Sequence, residues 1–172
     1  GQYPLKRNLR TEKHLGLIER REYKMDKKIY LLDTNIVSEP SKQEPNENVL
    51  RRMKQKRDYC AVSAVSWYEN LYGVEILAEG KRKRDLDNFA HNFIQANYDI
   101  IPYDEHAASI HSRISAELRK SGLSKPYADL QIAATAIANN MILVTHNTED
   151  FEGIPLLMVE DWFEDGGYEL CN

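Results

Sequence analysis

The sequence predicts an α/β protein in which a mostly parallel sheet of four to five strands lies between two layers of helices. Three observations predict it. Short apolar runs of strand length recur along the chain. Each is followed by a longer segment whose apolar residues have helical spacing. The 172 residues, 42% hydrophobic and 29% charged, suit one core of ordinary globular composition. Parallel strands need long crossover connections, and helices fill them. In such sheets ligands bind beyond the carboxyl ends of the strands, where the strand order reverses, so chemistry is expected there.

The patterned chain begins at Met25, which reads as a natural start. Residues 1–24 are polar, basic and weakly periodic, and are set aside as a leader, with the domain expected over 25–172. From Ile29 the run Ile-Tyr-Leu-Leu ends at Asp33-Thr34-Asn35, a buried strand feeding a turn or helix start. A helix follows over 46–57, a second strand over 59–62, and helices over 64–79 and 81–96. Residues 98–101 form a third strand, closed by Pro102, and Asp104 caps a helix running to 120. Ser121-Gly122 ends that helix, because glycine readily takes the left-handed conformation found there. Pro126 opens an alanine-rich helix to 139, residues 141–145 form the fourth strand, and a fifth is placed at 156–159.

The net charge is −4, but residues 1–28 carry nine Lys/Arg against four Asp/Glu, which leaves −9 on the rest. An acidic body does not bind nucleic acid through a general electrostatic footprint, so an RNA or DNA substrate needs local basic patches or bound cations. Two patches stand out, Arg51, Arg52, Lys54, Lys56 and Arg57, and Lys81 to Arg84; by sequence alone both read as solvated helix ends. No apolar run approaches the roughly 18 residues that cross a bilayer, and no signal peptide is visible, so no membrane partner is expected. Cys60 and Cys171 are too few for a disulfide scaffold and lack metal-ligand spacing, which suits a reducing cytoplasm. The five histidines show no paired helical spacing, so a transition-metal site is not expected. His146 lies beside the rim of Asp33 and Asp150, where it could touch substrate, but reads first as a solvent-exposed loop residue, Cys60 as a small buried hydrophobe, and Trp67 and Trp162 as packing anchors.

Four acids are out of place. Asp33 ends the first strand, and Asp150 lies five residues beyond the fourth, on the same rim. Glu69 falls on the spacing Val65, Glu69, Tyr72, Ile76, which is expected to face the core. Asp129, near the start of its helix, shares a face with Ile132, Ala133 and Ala136. Any one of them could cap a helix or close a turn. Together, four carboxylates from four segments would repel one another and be driven toward protonation unless positive charge were present. No lysine or arginine accompanies them in these motifs. A hard divalent cation, Mg²⁺ or Mn²⁺, resolves the conflict and suits phosphodiester hydrolysis by an activated water.

These segments together resemble a PIN domain, specifically the VapC family of toxin–antitoxin ribonucleases. The resemblance rests on LLDTNIVSE (31–39), SAVSWYENLYG (63–73), PYADLQIAATAIANNMILVTHNTEDFEGI (126–154) and VEDW (159–162). It implies a three-layer α/β/α fold, with Asp33, Glu69, Asp129 and Asp150 as both catalytic residues and metal ligands, Asp33 and Asp129 the principal pair. Thr34, Asn35, Thr145 and Asn147 support them. It also implies a Mg²⁺-dependent endoribonuclease, with Mn²⁺ as a substitute, that cleaves structured RNA of the tRNA or ribosomal class, forms a homodimer and is silenced by a VapB-type antitoxin. Asn70 stands where a leucine is common, and residues 1–24 have no family counterpart. Two rivals remain. One is a PIN-fold module that binds an antitoxin without catalysis. The other is a haloacid-dehalogenase-like phosphatase, whose chemistry asks for an aspartate where this chain has Asn35.

Overall fold

In the computed structural model, which describes residues 27–164, five strands form one sheet. They are β1 (Tyr30–Leu32), β2 (Cys60–Ser63), β3 (Asp99–Ile101), β4 (Ile142–Val144) and β5 (Val159–Glu160). Their order is β3-β2-β1-β4-β5 and every neighbouring pair is parallel. Central β1 pairs Leu32 with Val62 on one side and Val144 on the other. The order reverses at β1, so the crevice between the ends of β1 and β4 is the switch point of the sheet.

The helices are α1 (Thr34–Val37), α2 (Glu47–Lys56), α3 (Ala64–Glu75), α4 (Lys81–Phe89), α5 (Glu105–Lys120), α6 (Tyr127–Ala138) and α7 (Thr148–Phe151). Side chains of a strand alternate between faces, and β1 divides the core accordingly. Leu31 joins Ala61, Leu143 and Val159 beneath α5 and α6. Tyr30 and Leu32 join Val62 and Val144 on the opposite face, with Val49 and Met53 of α2 and the fully buried Trp162. The result is the expected three-layer α/β/α arrangement. Polar side chains fix the starts of three helices: Asn46 Oδ1 accepts from Val49 N at 3.1 Å, Ser63 Oγ from Ser66 N at 2.9 Å, and Asp104 Oδ1 from Ala107 N at 2.9 Å. Gly122 has φ +73°, the left-handed backbone expected after α5.

Several boundaries differ from the sequence expectation. The helix expected over 64–79 stops at Glu75, and that over 81–96 is α4 followed by a π turn at Ala90–Ile94 and a last turn at Gln95–Asn97. The fifth strand begins at Val159 rather than 156, because Leu156 has φ +66° and points into solvent. Of the Val65, Glu69, Tyr72, Ile76 stripe only Val65 packs on the core, and the later part turns away from it. Tyr72 and Ile76 are 55% and 65% exposed, while Ser66 and Val74 are buried. This helix is apolar most of the way round, so spacing alone could not select its inner face. The expected leader and Met25 lie outside the described residues.

Candidate active site

The sheet topology delivers Asp33, at the end of β1, to the switch point, where its amide donates to Val144 O at 2.9 Å. Asp33 is 6% exposed, and both of its carboxylate oxygens accept hydrogen bonds. Oδ1 accepts from Thr34 N at 2.8 Å, and Oδ2 accepts from Thr145 Oγ1 at 2.8 Å and Asn35 Nδ2 at 3.0 Å. The Thr145 hydroxyl also accepts from Asn35 Nδ2 and from the Asn147 amide, both at 3.1 Å. Asn35 Oδ1 in turn accepts from His146 N at 3.0 Å. Burial raises the Asp33 carboxyl above its ordinary value against the bonds from Thr145 and Thr34, and the nearby Glu69 charge raises it further. Asn147 acts here through its backbone amide, not its side chain.

The other three acids lie within electrostatic reach of that point. Glu69 reaches it from α3, where Thr34 Oγ1 donates to its Oε2. It lies between buried Ser66 on one side and exposed Tyr68 and Tyr72 on the other, so it sits at the border of the buried face rather than within it. Asp129 occupies the first turn of α6, and exposed Asp150 lies in α7. Burial, then the charges of Asp150, Asp33 and Glu69, push the Asp129 carboxyl up to about 6; Lys125 opposes them. Lys125, whose Nζ donates to Glu149 O at 2.7 Å, corrects the expectation that no cation accompanies the acids. The signal was present in the Lys125–Asp129 spacing of four across the helix start.

One lysine against four carboxylates leaves a surplus of negative charge, which fits a divalent cation. Among the described residues no three His, Cys, Asp or Glu side chains form a cluster that could hold a metal ion as they stand. Mg²⁺ does not require three, since it retains several waters and is typically held by one or two carboxylates. The donor set, oxygen only, is that of a hard cation.

The surroundings revise other expectations. His146 is not simply a loop residue in solvent: Nδ1 bonds Asp161 Oδ2 at 2.9 Å, and the ring stacks on Phe163 with centroids 3.9 Å apart. Buried His111 bonds the Tyr103 hydroxyl at 2.9 Å, whereas Cys60 is fully buried, as expected. The first basic patch is partly structural, with Arg52 on the carbonyls of Asp161 and Glu164 and Lys56 on the Tyr30 hydroxyl. In the second, Lys81 and Lys83 pair with Asp85 and Glu79, while Lys81 and Arg82 line a cleft of about 870 Å³.

With this geometry in view, the PIN domain model matches residues 30–155. The chain belongs to the PIN domain family. Toxin FitB of Neisseria gonorrhoeae is 31% identical over 137 residues, covering 78% of this chain and 99% of that protein. The tRNA(fMet)-specific endonuclease VapC of Shigella flexneri is 33% identical over 135 residues, covering 77% of this chain and 97% of that one. Among solved structures, FitAB bound to a DNA fragment superposes with a TM-score of 0.75 at 30% identity, covering 82% of this chain and all of that one. These relatives place the chain with the VapC-like PIN toxins and remove the haloacid-dehalogenase reading. No helix among the described residues is long and apolar enough to cross a membrane.

Proposed function

We propose that this PIN protein is a cytoplasmic endoribonuclease toxin that hydrolyses structured RNA, of the tRNA or ribosomal class, at a Mg²⁺ or Mn²⁺ site formed by Asp33, Glu69, Asp129 and Asp150. The observation that carries it is the convergence of four carboxylates from four chain segments on one sheet rim, close enough that three of them raise the fourth. A bound cation would supply activation of water and neutralisation of phosphate charge there. The chain's own contribution is orientation. Asn35 and Thr145 lock Asp33, Thr34 holds Glu69, and the Asn147 amide fixes the Thr145 hydroxyl in turn. Burial at the switch point excludes water from the Asp33 side, which strengthens every electrostatic contact made there.

A VapB-type antitoxin silences the enzyme by presenting arginine to the carboxylates, whose geometry its planar fork matches. Support comes from the neighbours solved as VapBC and FitAB complexes. A homodimer is supported by Tyr68, Tyr72 and Ile76, which lie exposed along one side of α3. Retention of all four acids favours an active enzyme over a module that only binds antitoxin. The test is cleavage of tRNA and ribosomal RNA fragments by purified protein. Activity should vanish in EDTA, return with Mg²⁺, and fall roughly a hundredfold or more in Asp129→Asn. Unchanged cleavage in EDTA, or by that variant, overturns the reading.

A further inference from the structure

We propose that His146, backed by Phe163 and oriented by Asp161, is a stacking platform for a base of the RNA strand beside the acid cluster. This rests on the ribonuclease reading. Three independent contacts hold the ring at the rim. The His146 amide donates to Asn35 Oδ1 at 3.0 Å, and Asn35 itself donates to Asp33, so the residue is two hydrogen bonds from the buried acid. A carboxylate only accepts, so the 2.9 Å contact with Asp161 Oδ2 places the proton on Nδ1 and leaves Nε2 unused. Phe163 covers one face of the imidazole in a near-parallel stack, with an interplanar angle of 21°. The side chain is still 51% exposed, so the ring has been fixed without being buried.

Phe163 and Asp161 are themselves braced. Asp161 Oδ1 accepts from Phe163 N at 2.9 Å, and Asn48 Nδ2 donates to Phe163 O at 3.2 Å. Cations flank the pair: Lys42 Nζ, which also pairs with buried Glu39, lies 5.8 Å from the Phe163 centroid, and Arg52 reaches Asp161 O at 3.5 Å. A rigid, half-open aromatic pair with cations beside it is what sequence-tolerant recognition of single-stranded RNA uses, the bases stacking and the backbone following the positive charge. In an otherwise acidic domain it supplies the local attraction that the overall charge does not.

The experiment measures binding of a fluorescein-labelled adenosine dodecamer RNA by anisotropy, with EDTA present so that no cleavage intervenes. A second probe of the same length has abasic ribose throughout. The amide of residue 146 survives any substitution there, so the loop is expected to hold, and a thermal melt checks this. His146→Ala should weaken dodecamer binding by about fivefold to a hundredfold while leaving the abasic probe unchanged, and His146→Trp should restore dodecamer binding to within about twofold. Equal loss on both probes, or no loss on the dodecamer, overturns the platform. If wild type cleaves RNA with Mg²⁺ but His146→Ala binds the dodecamer normally, only the platform falls. If wild type neither binds nor cleaves RNA, the ribonuclease reading falls with it.

Discussion

Replacing Asp129 by asparagine should make the metal-free protein more stable at neutral pH while abolishing activity. Burial and the charges of Asp150, Asp33 and Glu69 push this carboxyl up to about 6, against 3.8 in an unperturbed chain. Ionising it in the folded state therefore costs free energy that the unfolded state does not incur. At about 1.4 kcal/mol per pKa unit the whole shift is roughly 3 kcal/mol. The side chain is partly open to solvent, and screening reduces this to about 1–2 kcal/mol. The folded state binds the proton more tightly, so the stability carried by the protonated carboxyl is fully present below about pH 4 and is lost as pH rises through about 6, where the ionisation cost sets in. Asparagine removes that slope. In EDTA the variant should melt about 2–8 °C above wild type at pH 7.5 and close to it at pH 4. Added Mg²⁺ should raise the wild-type Tm and barely move the variant. A variant that melts below wild type at pH 7.5, or a Mg²⁺ shift of equal size in both, would refute the reasoning.

Thr145→Val deletes the hydroxyl that donates to Asp33 and accepts from Asn35 and Asn147. It should lower kcat about 10- to 100-fold and cost about 1–3 kcal/mol in urea unfolding; wild-type cleavage by this variant would mean the Asp33 network is dispensable. Cys60 is fully buried, and burial pushes its thiol up to about 12. In a Cys171→Ser background, a disulfide reagent at pH 8 should react only after unfolding, and rapid reaction of the native protein would contradict that burial.

The parts of the fold most legible in the sequence were those with strong local chemistry. The Ile-Tyr-Leu-Leu-Asp run, the Asp104 cap and Gly122 each have one good physical reading, and the structure uses it. Glu69 shows the opposite case. Its helix presents apolar residues on several sides, so the inner face was decided by packing against β2 and α6 rather than by spacing. Leu156 could not be recognised as left-handed from its type, which moved the fifth strand. In the site, Asp33 and Asp150 were placed by topology, since strand ends on one rim must meet. The Asp161–His146–Phe163 assembly was hidden because its members come from separate strand ends whose closeness depends on the β4–β5 pairing.

The most direct test of the central claim is end-group analysis of the RNA fragments. Water attacking phosphorus at the four-acid site predicts 5′-phosphate and 3′-hydroxyl ends, formed with Mg²⁺ or Mn²⁺ and absent in EDTA. Attack by the RNA's own 2′-hydroxyl needs a general base and acid instead. Fragments with 2′,3′-cyclic phosphate ends, formed in EDTA, would contradict the account.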